Sequence, residues 1–536
     1  MMESSSIPDP DVHAHVHPVL REALRISLSA KEYKILHEHA VRRAPVRVQS
    51  KLPSPSRYEA IIRSKNKPNE AALRASIRVF LVSGALLKLV EWILARIRGD
   101  LSKKKPHTSF LRSPNLRLSA SLSLVLLLHR FLHRFFVRLR ANLRTDDAQP
   151  FRNRNPRVSK ALTSRYAPAV GASLAGFALG ICPQNQLRLT AAIWTSTRSL
   201  EFLFNVIDGK GWLENRPLWF GSWLLMPLSC AQLFHAFVFD REATPKWLGN
   251  IIFRLSRGYI HDRPEGLPAE FSWPGKEDVV DSLATVADLR WPAFVSPILH
   301  PGDLNTLPSA VKSISPITGP AHPSISTLSC ALLHPSSPSC GTAFLQNILL
   351  SVPRLARFLT TVTLALSVLK FKKLMANPIT SANALSKKII TLTAVLSASV
   401  GSAWGSICLW NSLLPRSVLP TKRFFLSGAL AGMPFAFLAN SRSIFLYFFR
   451  AAVDSAWKTG VKRGLWKGWK GGDLFLVVLS WALLGSILES RPNAVQGPRI
   501  RKALAWMKGD GYVDPVDVAA KRKLKKAKKA EAEAEH

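Results

Sequence analysis

Two long stretches of this chain, residues 218–239 and 389–414, contain no Asp, Glu, Lys or Arg. Each is longer than the roughly 20 residues that a helix needs to cross the hydrocarbon core of a membrane. Apolar residues make up 47% of the chain and are segregated from its charges instead of being mixed with them. The sequence therefore predicts an all-α, polytopic helical membrane protein.

The charged residues lie mostly in the connections between apolar segments. Lys and Arg number 73 against 34 Asp and Glu, which gives a net charge of +39. Because the bases flank apolar segments, anionic lipid head groups are a better match for them than nucleic acid. We expect membrane lipids and their head groups as partners, no nucleic acid, and a homo-oligomer as one further arrangement open to the chain. The basic stretches are 96–117, 138–165, 370–388 and 521–529.

A hairpin module occurs twice, at residues 167–260 and 423–515. Glu201 aligns with Asp454 and Tyr259 with Tyr512, with an offset of about 253 residues. Self-similarity over this length is typical of a duplicated unit, and many polytopic proteins consist of two such halves. The sequence therefore predicts two pseudo-repeated helical bundles.

Ten apolar segments set the expected organisation, and we predict that eight to ten of them span the membrane. The predicted order is a polar N-terminal arm (1–70), a first membrane half (71–260), a Pro-rich polar connection (261–325), a second membrane half (326–515) and a charged C-terminal tail (516–536). No apolar core of a cleavable signal peptide opens the chain. The segments are 77–94, 118–137, 167–182, 187–207, 218–239, 344–369, 389–414, 424–439, 444–457 and 474–488.

Each module opens with two glycines four residues apart, Gly176 and Gly180 in the first and Gly428 and Gly432 in the second. This spacing lets two helix backbones approach closely in lipid, where packing holds helices together. We therefore predict helix–helix contacts at these four glycines.

Opposite charges follow at helical spacing in both modules: Arg198 with Glu201, and Arg450 with Asp454. Either spacing places the two charges on one face of a helix, where pairing lowers the cost of membrane depth. An ion pair near the membrane surface and a transport site are the two interpretations.

A Cys/His box, Cys330-Ala-Leu-Leu-His334-Pro335-Ser-Ser-Pro-Ser-Cys340, precedes the segment 344–369. Thiolate and imidazole are the ligands that zinc prefers, so Cys330, His334 and Cys340 are candidate metal ligands. The box holds no fourth ligand, and a disulfide or a turn at the start of a helix explains it equally well. The expectation from sequence is no cofactor.

These features resemble the transmembrane protein 135 family, whose members carry a Cys/His-Pro/Cys box and a Gly-rich hairpin. The hairpin resembles residues 174–180, 197–204 and 209–211, and the similarity covers most of 165–260 and 325–515. The family's hairpin is distantly similar to the mitochondrial preprotein translocase channels. The resemblance implies a peroxisomal or mitochondrial membrane and a role in lipid handling or organelle dynamics.

The expected function is non-enzymatic: support of lipid or metabolite transfer, or of organelle dynamics, in such a membrane. The alternatives are a translocase-like pore component and a lipid acyltransferase. The latter would use His235 and Asp240, which match a His-x4-Asp pattern in which the histidine acts as a base. The second module does not preserve this pair, because its corresponding region is Gly485 to Ser490.

Overall fold

The structure, a computed structural model, describes most of the 536-residue chain. Helices are the only regular secondary structure among the described residues, with no strand, which confirms the all-α prediction. The first 29 residues of the predicted arm and the last 12 of the tail lie outside them. The described residues are 30–39, 41–43, 45, 52–63, 68–97, 113–183, 185–217, 219–268, 272–299, 307–368, 375–438, 441–521 and 524.

The described helices are named in chain order. Several begin with proline in their first turn, where its missing N–H costs nothing and its fixed φ suits the helix. They are α1 (Ala30–His39), α2 (Pro55–Arg63), α3 (Pro68–Ile97), α4 (Pro114–Asn142), α5 (Gln149–Arg154), α6 (Pro156–Thr163), α7 (Ala167–Ser173), α8 (Asn185–Asp208), α9 (Leu225–Phe239), α10 (Lys246–Leu255), α11 (Lys276–Asp288), α12 (Ser315–Thr318), α13 (Leu328–Leu333), α14 (Cys340–Val368), α15 (Pro378–Leu413), α16 (Arg423–Gly432), α17 (Arg442–Lys462), α18 (Gly472–Ser490) and α19 (Pro498–Lys508).

Five described helices are long and apolar enough to cross a membrane, which fits an integral membrane protein. Two shorter apolar helices, Ala167–Ile181 and Arg423–Phe437, each end in a 3₁₀ segment. The total of eight to ten spans stays a prediction. The five are Pro114–Asn142, Ser222–Phe239, Cys340–Val368, Pro378–Leu413 and Gly472–Ser490.

The chain divides into two compact units that differ from the predicted halves. The first unit combines Met1–Glu214 with Trp469–His536, and the second is Asn215–Gly468. Each unit therefore takes residues from both hairpin modules.

In the first unit, α18 packs against α7 and α8, and α4 packs against α3 and α7. Polar contacts add to this packing: Ser196 and Ser480 share a hydrogen bond of 2.9 Å, and Arg188 forms an ion pair with Asp473 at 2.8 Å. The apolar core between α8 and α18 contains Phe202, Ile487, Leu488 and Val495.

In the second unit, α9 packs against α16 and α17, while α15 packs against α14 and α16. The core surrounds Trp404, whose indole N–H donates to the buried Ser256 hydroxyl at 2.7 Å. The predicted polar connection contributes to this core, since Val280 and Leu283 of α11 are fully buried. Residues 261–325 thus include folded structure that packs with the membrane helices.

The four module glycines lie at helix contacts. In the second unit, a Cβ on Gly428 would overlap the backbone of Cys230 and Ala231, and one on Gly432 would overlap the backbone of Pro227. In the first unit, Gly176 and Gly180 lie against side chains of α18, with Val478 Cγ2 3.0 Å and Leu474 Cδ1 3.1 Å from the corresponding Cβ positions. The absence of a side chain at these glycines therefore allows close packing against α9 and α18.

Candidate metal centre

Three cysteines and one histidine of the second unit converge on one point. The ligand atoms of Cys330, His334, Cys340 and Cys408 all lie within 4.8 Å of one another. The Cys330 sulfur is 3.7 Å from that of Cys340 and 3.5 Å from that of Cys408. The Cys408 sulfur is 3.5 Å from His334 Nε2. Cys408 therefore supplies the fourth candidate ligand atom that the sequence box lacks.

Local backbone geometry brings the box together. Cys330 lies on the short helix α13, and His334 ends that helix with φ −147° and ψ 64°. Pro335 follows, and the residue before a proline is disfavoured in the helical region, so the helix stops at this point. Cys340 is the first residue of α14, and the chain therefore turns back within the box.

The remaining ligand comes from a membrane helix. Cys408 lies on α15 and follows Cys330 by 78 residues. Beside it, the Asn411 side-chain amide donates to the Ser329 hydroxyl at 2.7 Å, which fixes α15 against α13.

Three of the six distances among the four atoms match those of a tetrahedral zinc site. Zinc binds sulfur at about 2.3 Å and imidazole nitrogen at about 2.0–2.1 Å, so tetrahedral ligands lie about 3.8 Å (S to S) and about 3.6 Å (S to N) apart. The three distances above lie within about 0.3 Å of these values. All five cysteines lie in the described residues, and none of them forms a disulfide.

A second hydrogen bond orients the histidine. His334 Nδ1 lies 3.1 Å from the Ser337 carbonyl oxygen in a buried contact. A carbonyl only accepts, so Nδ1 donates this hydrogen bond, and a metal that displaced the proton on Nε2 would find the Nε2 lone pair directed at the sulfurs. Metal-binding histidines almost always show this arrangement.

The electrostatics favour the thiolate form of Cys330. Hydrogen bonds with Cys340 and Cys408 lower the pKa of Cys330 well below its usual value, against the opposing effect of burial. Burial alone would lower the pKa of His334, but its contacts with Cys330 and Cys340 outweigh burial and raise the pKa to about 10. Thiolate is the form of cysteine that binds metals.

The four candidate ligands differ in solvent exposure. Cys330, His334 and Cys408 are buried, whereas Cys340 is exposed. Cys340 and Cys408 also line a cavity of about 650 Å³, which we name the apolar cavity. Its other walls come from α14, α15 and the segment 430–437, and include Phe344, Leu409 and Phe437.

The predicted charge pairs lie on α8 and α17. Arg198 Nη1 donates to Glu201 at 2.7 Å, and the Glu201 side chain is 3% exposed. Asp454 accepts a hydrogen bond from Lys458 at 2.7 Å, and Arg450 lies one turn before it on the same helix.

Asp240, the aspartate of the predicted acyltransferase pair, forms ion pairs with two bases. Asp240 is 5% exposed and forms ion pairs with Arg463 at 2.6 Å and with Lys462 at 3.5 Å. The His235 ring packs on Phe239, with 4.9 Å between centroids. Within the described residues, no hydrogen bond joins His235 to Asp240.

Comparisons of the chain with protein-family models, with curated proteins and with solved structures find no match.

Proposed function

We propose that Cys330, His334, Cys340 and Cys408 form a structural zinc site. The observation that carries this proposal is the convergence of three sulfur atoms and one imidazole nitrogen within 4.8 Å of one another. Thiolates and imidazole select zinc over calcium or magnesium, which prefer oxygen ligands. Four protein ligands leave no open position for water or substrate, which is typical of structural and not catalytic zinc. This proposal departs from the sequence expectation of no cofactor.

The zinc would fasten the box to membrane helix α15. Residues 330–340 contain only one short helix and the start of α14, so few backbone hydrogen bonds order them. The binding energy of a structural zinc is folding energy, because the site does not exist in the unfolded chain. We infer that zinc sets the position of α13 and the start of α14 relative to α15.

The metal content of the full-length chain tests this proposal. We expect about one zinc per chain after purification in detergent, measured by elemental analysis. The Cys182→Ser variant is a suitable control, because Cys182 is a buried cysteine of the first unit. Its zinc content should equal that of the wild type. Zinc-free protein from cells grown with ample zinc would contradict the proposal.

We further propose that the protein supports lipid or metabolite transfer, or organelle dynamics, in a peroxisomal or mitochondrial membrane, and that it is not an enzyme. The resemblance of its motifs to the transmembrane protein 135 family suggests a peroxisomal or mitochondrial membrane. The apolar cavity supports a role with lipids. Its volume of about 650 Å³ is within the usual range for ligand sites. The ion pairs of Asp240 favour a structural role for that residue over the acyltransferase alternative.

Lipid retention tests this role. Ser402 lines the apolar cavity from α15, and Ser402→Phe should fill part of it and reduce the phospholipid retained through purification, measured by native mass spectrometry. Ser386→Phe, an exposed change on the same helix, should leave retention unchanged. Equal retention by both variants would argue against an acyl chain in this cavity.

We also propose the two-repeat architecture, with the third helix of each module exchanged. In the second unit α9 of the first module packs with α16 and α17 of the second, and in the first unit α18 packs with α7 and α8. The C-terminal ends of α9 and α18 support the proposal that these two helices are equivalent elements of the two modules. Asp240 caps α9 with φ −139° and ψ 58°, Arg491 caps α18 with φ −143° and ψ 74°, and a 3₁₀ turn follows each.

A further inference from the structure

A second cavity of the second unit, the basic cavity, has a volume of about 430 Å³. It lies where α16 begins and α17 ends, next to α9. Phe425, Leu426 and Trp466 provide apolar walls, and Lys422 and Arg463 provide positive charge. None of the described residues that line it is Asp or Glu.

The positive charge exceeds the nearby negative charge. Arg463 and Lys462 both pair with Asp240, which does not line the cavity. Lys422 is exposed and forms no ion pair within the described part of the chain. Lys462 also lies 3.9 Å from Glu242, so these three bases face two carboxylates. The excess is the charge of Lys422, which an anionic occupant would compensate.

A buried hydroxyl points to a polar ligand independently of this charge. Thr459 lines the cavity and is 8% exposed, yet its Oγ1 has no hydrogen-bond partner among the described residues. A buried polar group without a partner costs about 1–3 kcal/mol, so such groups are rare unless something binds them. A phosphate oxygen could accept a hydrogen bond from this hydroxyl.

The composition of the cavity is that of a membrane–water boundary. Lys422 immediately precedes α16, and Arg463 immediately follows α17. Trp466 stacks on Trp457 with 6.2 Å between centroids. Tryptophan together with basic residues is enriched at the level of the lipid head groups. Basic cavities between membrane helices at this level bind anionic lipid head groups.

We propose that the basic cavity binds the phosphate head group of an anionic phospholipid. Lys422 and Arg463 would pair with the phosphate, Thr459 would donate to one of its oxygens, and the acyl chains would pass along Phe425 and Leu426. This inference rests on the proposed lipid role and gives it a second site with a stated lipid class.

The test compares phosphatidic acid with phosphatidylcholine of the same acyl chains, each titrated into the purified full-length protein and followed by native mass spectrometry. The wild type should prefer phosphatidic acid. Each base near a head group contributes about 1 kcal/mol, so Lys422→Gln should reduce this preference about fivefold. Thr459→Val keeps the shape of the side chain and should also reduce it. The control Lys387→Gln removes one exposed charge from α15, outside the cavity, and should not.

Each contrary outcome has a separate meaning. Equal binding of both lipids, or an unchanged preference in Lys422→Gln, would overturn the head-group site while leaving the lipid role in place. Failure of the wild type to bind either lipid would also remove the lipid role. Displacement of phosphatidic acid by an equal concentration of inorganic phosphate would show a site for free phosphate and overturn the assignment to a lipid.

Discussion

The Cys408→Ser chain should purify without zinc and unfold at a lower temperature than the wild type. Serine is a poor zinc ligand. The substitution removes the Cys408 thiolate, which is the one ligand that α15 provides. The binding energy of a structural zinc is part of the folding energy of the unit that holds it. We expect the midpoint of thermal unfolding to fall by roughly 5–10 °C, because a loss of a few kcal/mol has that effect in a unit of this size.

Cys230→Ser is the matched control for this prediction. Cys230 is a free cysteine on α9 in the same unit and lies outside the cluster. Its replacement should leave the zinc content unchanged. If Cys408→Ser still carries one zinc per chain, Cys408 is not a ligand and the four-residue site is wrong.

Replacement of Gly432 by alanine should destabilise the second unit, and replacement by leucine should prevent its correct assembly. The added Cβ would overlap the backbone of Pro227 on α9, and a backbone cannot move aside as a flexible side chain can. Overpacking of this kind costs about 1–3 kcal/mol and occasionally more. Thermal unfolding of the detergent-purified chain, followed by size-exclusion chromatography, measures both effects.

Gly249→Ala provides the comparison. Gly249 lies inside helix α10, and the nearest atom to its Cβ position is 3.7 Å away in the Phe237 ring. Alanine there should be neutral or stabilise by about 0.5–1 kcal/mol, because glycine is a poor helix former. If Gly432→Ala is as stable as Gly249→Ala, the close approach of α9 and α16 is not present in the folded protein. The exchanged-repeat proposal adds that Gly176→Leu should destabilise the first unit.

Much of the fold follows from sequence pattern. The uncharged stretches 218–239 and 389–414 correspond to α9 with its preceding 3₁₀ turn and to most of α15, because hydropathy and length alone identify such helices. The four-residue spacing of the glycines predicted the helix contacts that Gly428 and Gly432 make. The interior of 261–325 was missed, although Val279, Leu283 and Val286 follow a helical period, because its many prolines suggested a connection.

The fourth metal ligand could not be predicted from spacing. Cys408 lies 78 residues after Cys330, within an uncharged membrane segment where a lone cysteine usually serves only to pack. Only the packing of α15 against α13 and α14 brings its sulfur to the box. Under the two-repeat proposal, sequence similarity alone also could not show that α9 packs with α16 and α17 and not with α7 and α8.

X-ray absorption spectroscopy at the zinc edge of the purified full-length chain tests the central claim most directly. The four-ligand site predicts three sulfur atoms at about 2.3 Å and one nitrogen at about 2.0–2.1 Å from the metal. The Cys408→Ser chain should show no such shell. A wild-type shell made only of nitrogen and oxygen, or one with fewer than three sulfurs, would contradict the site.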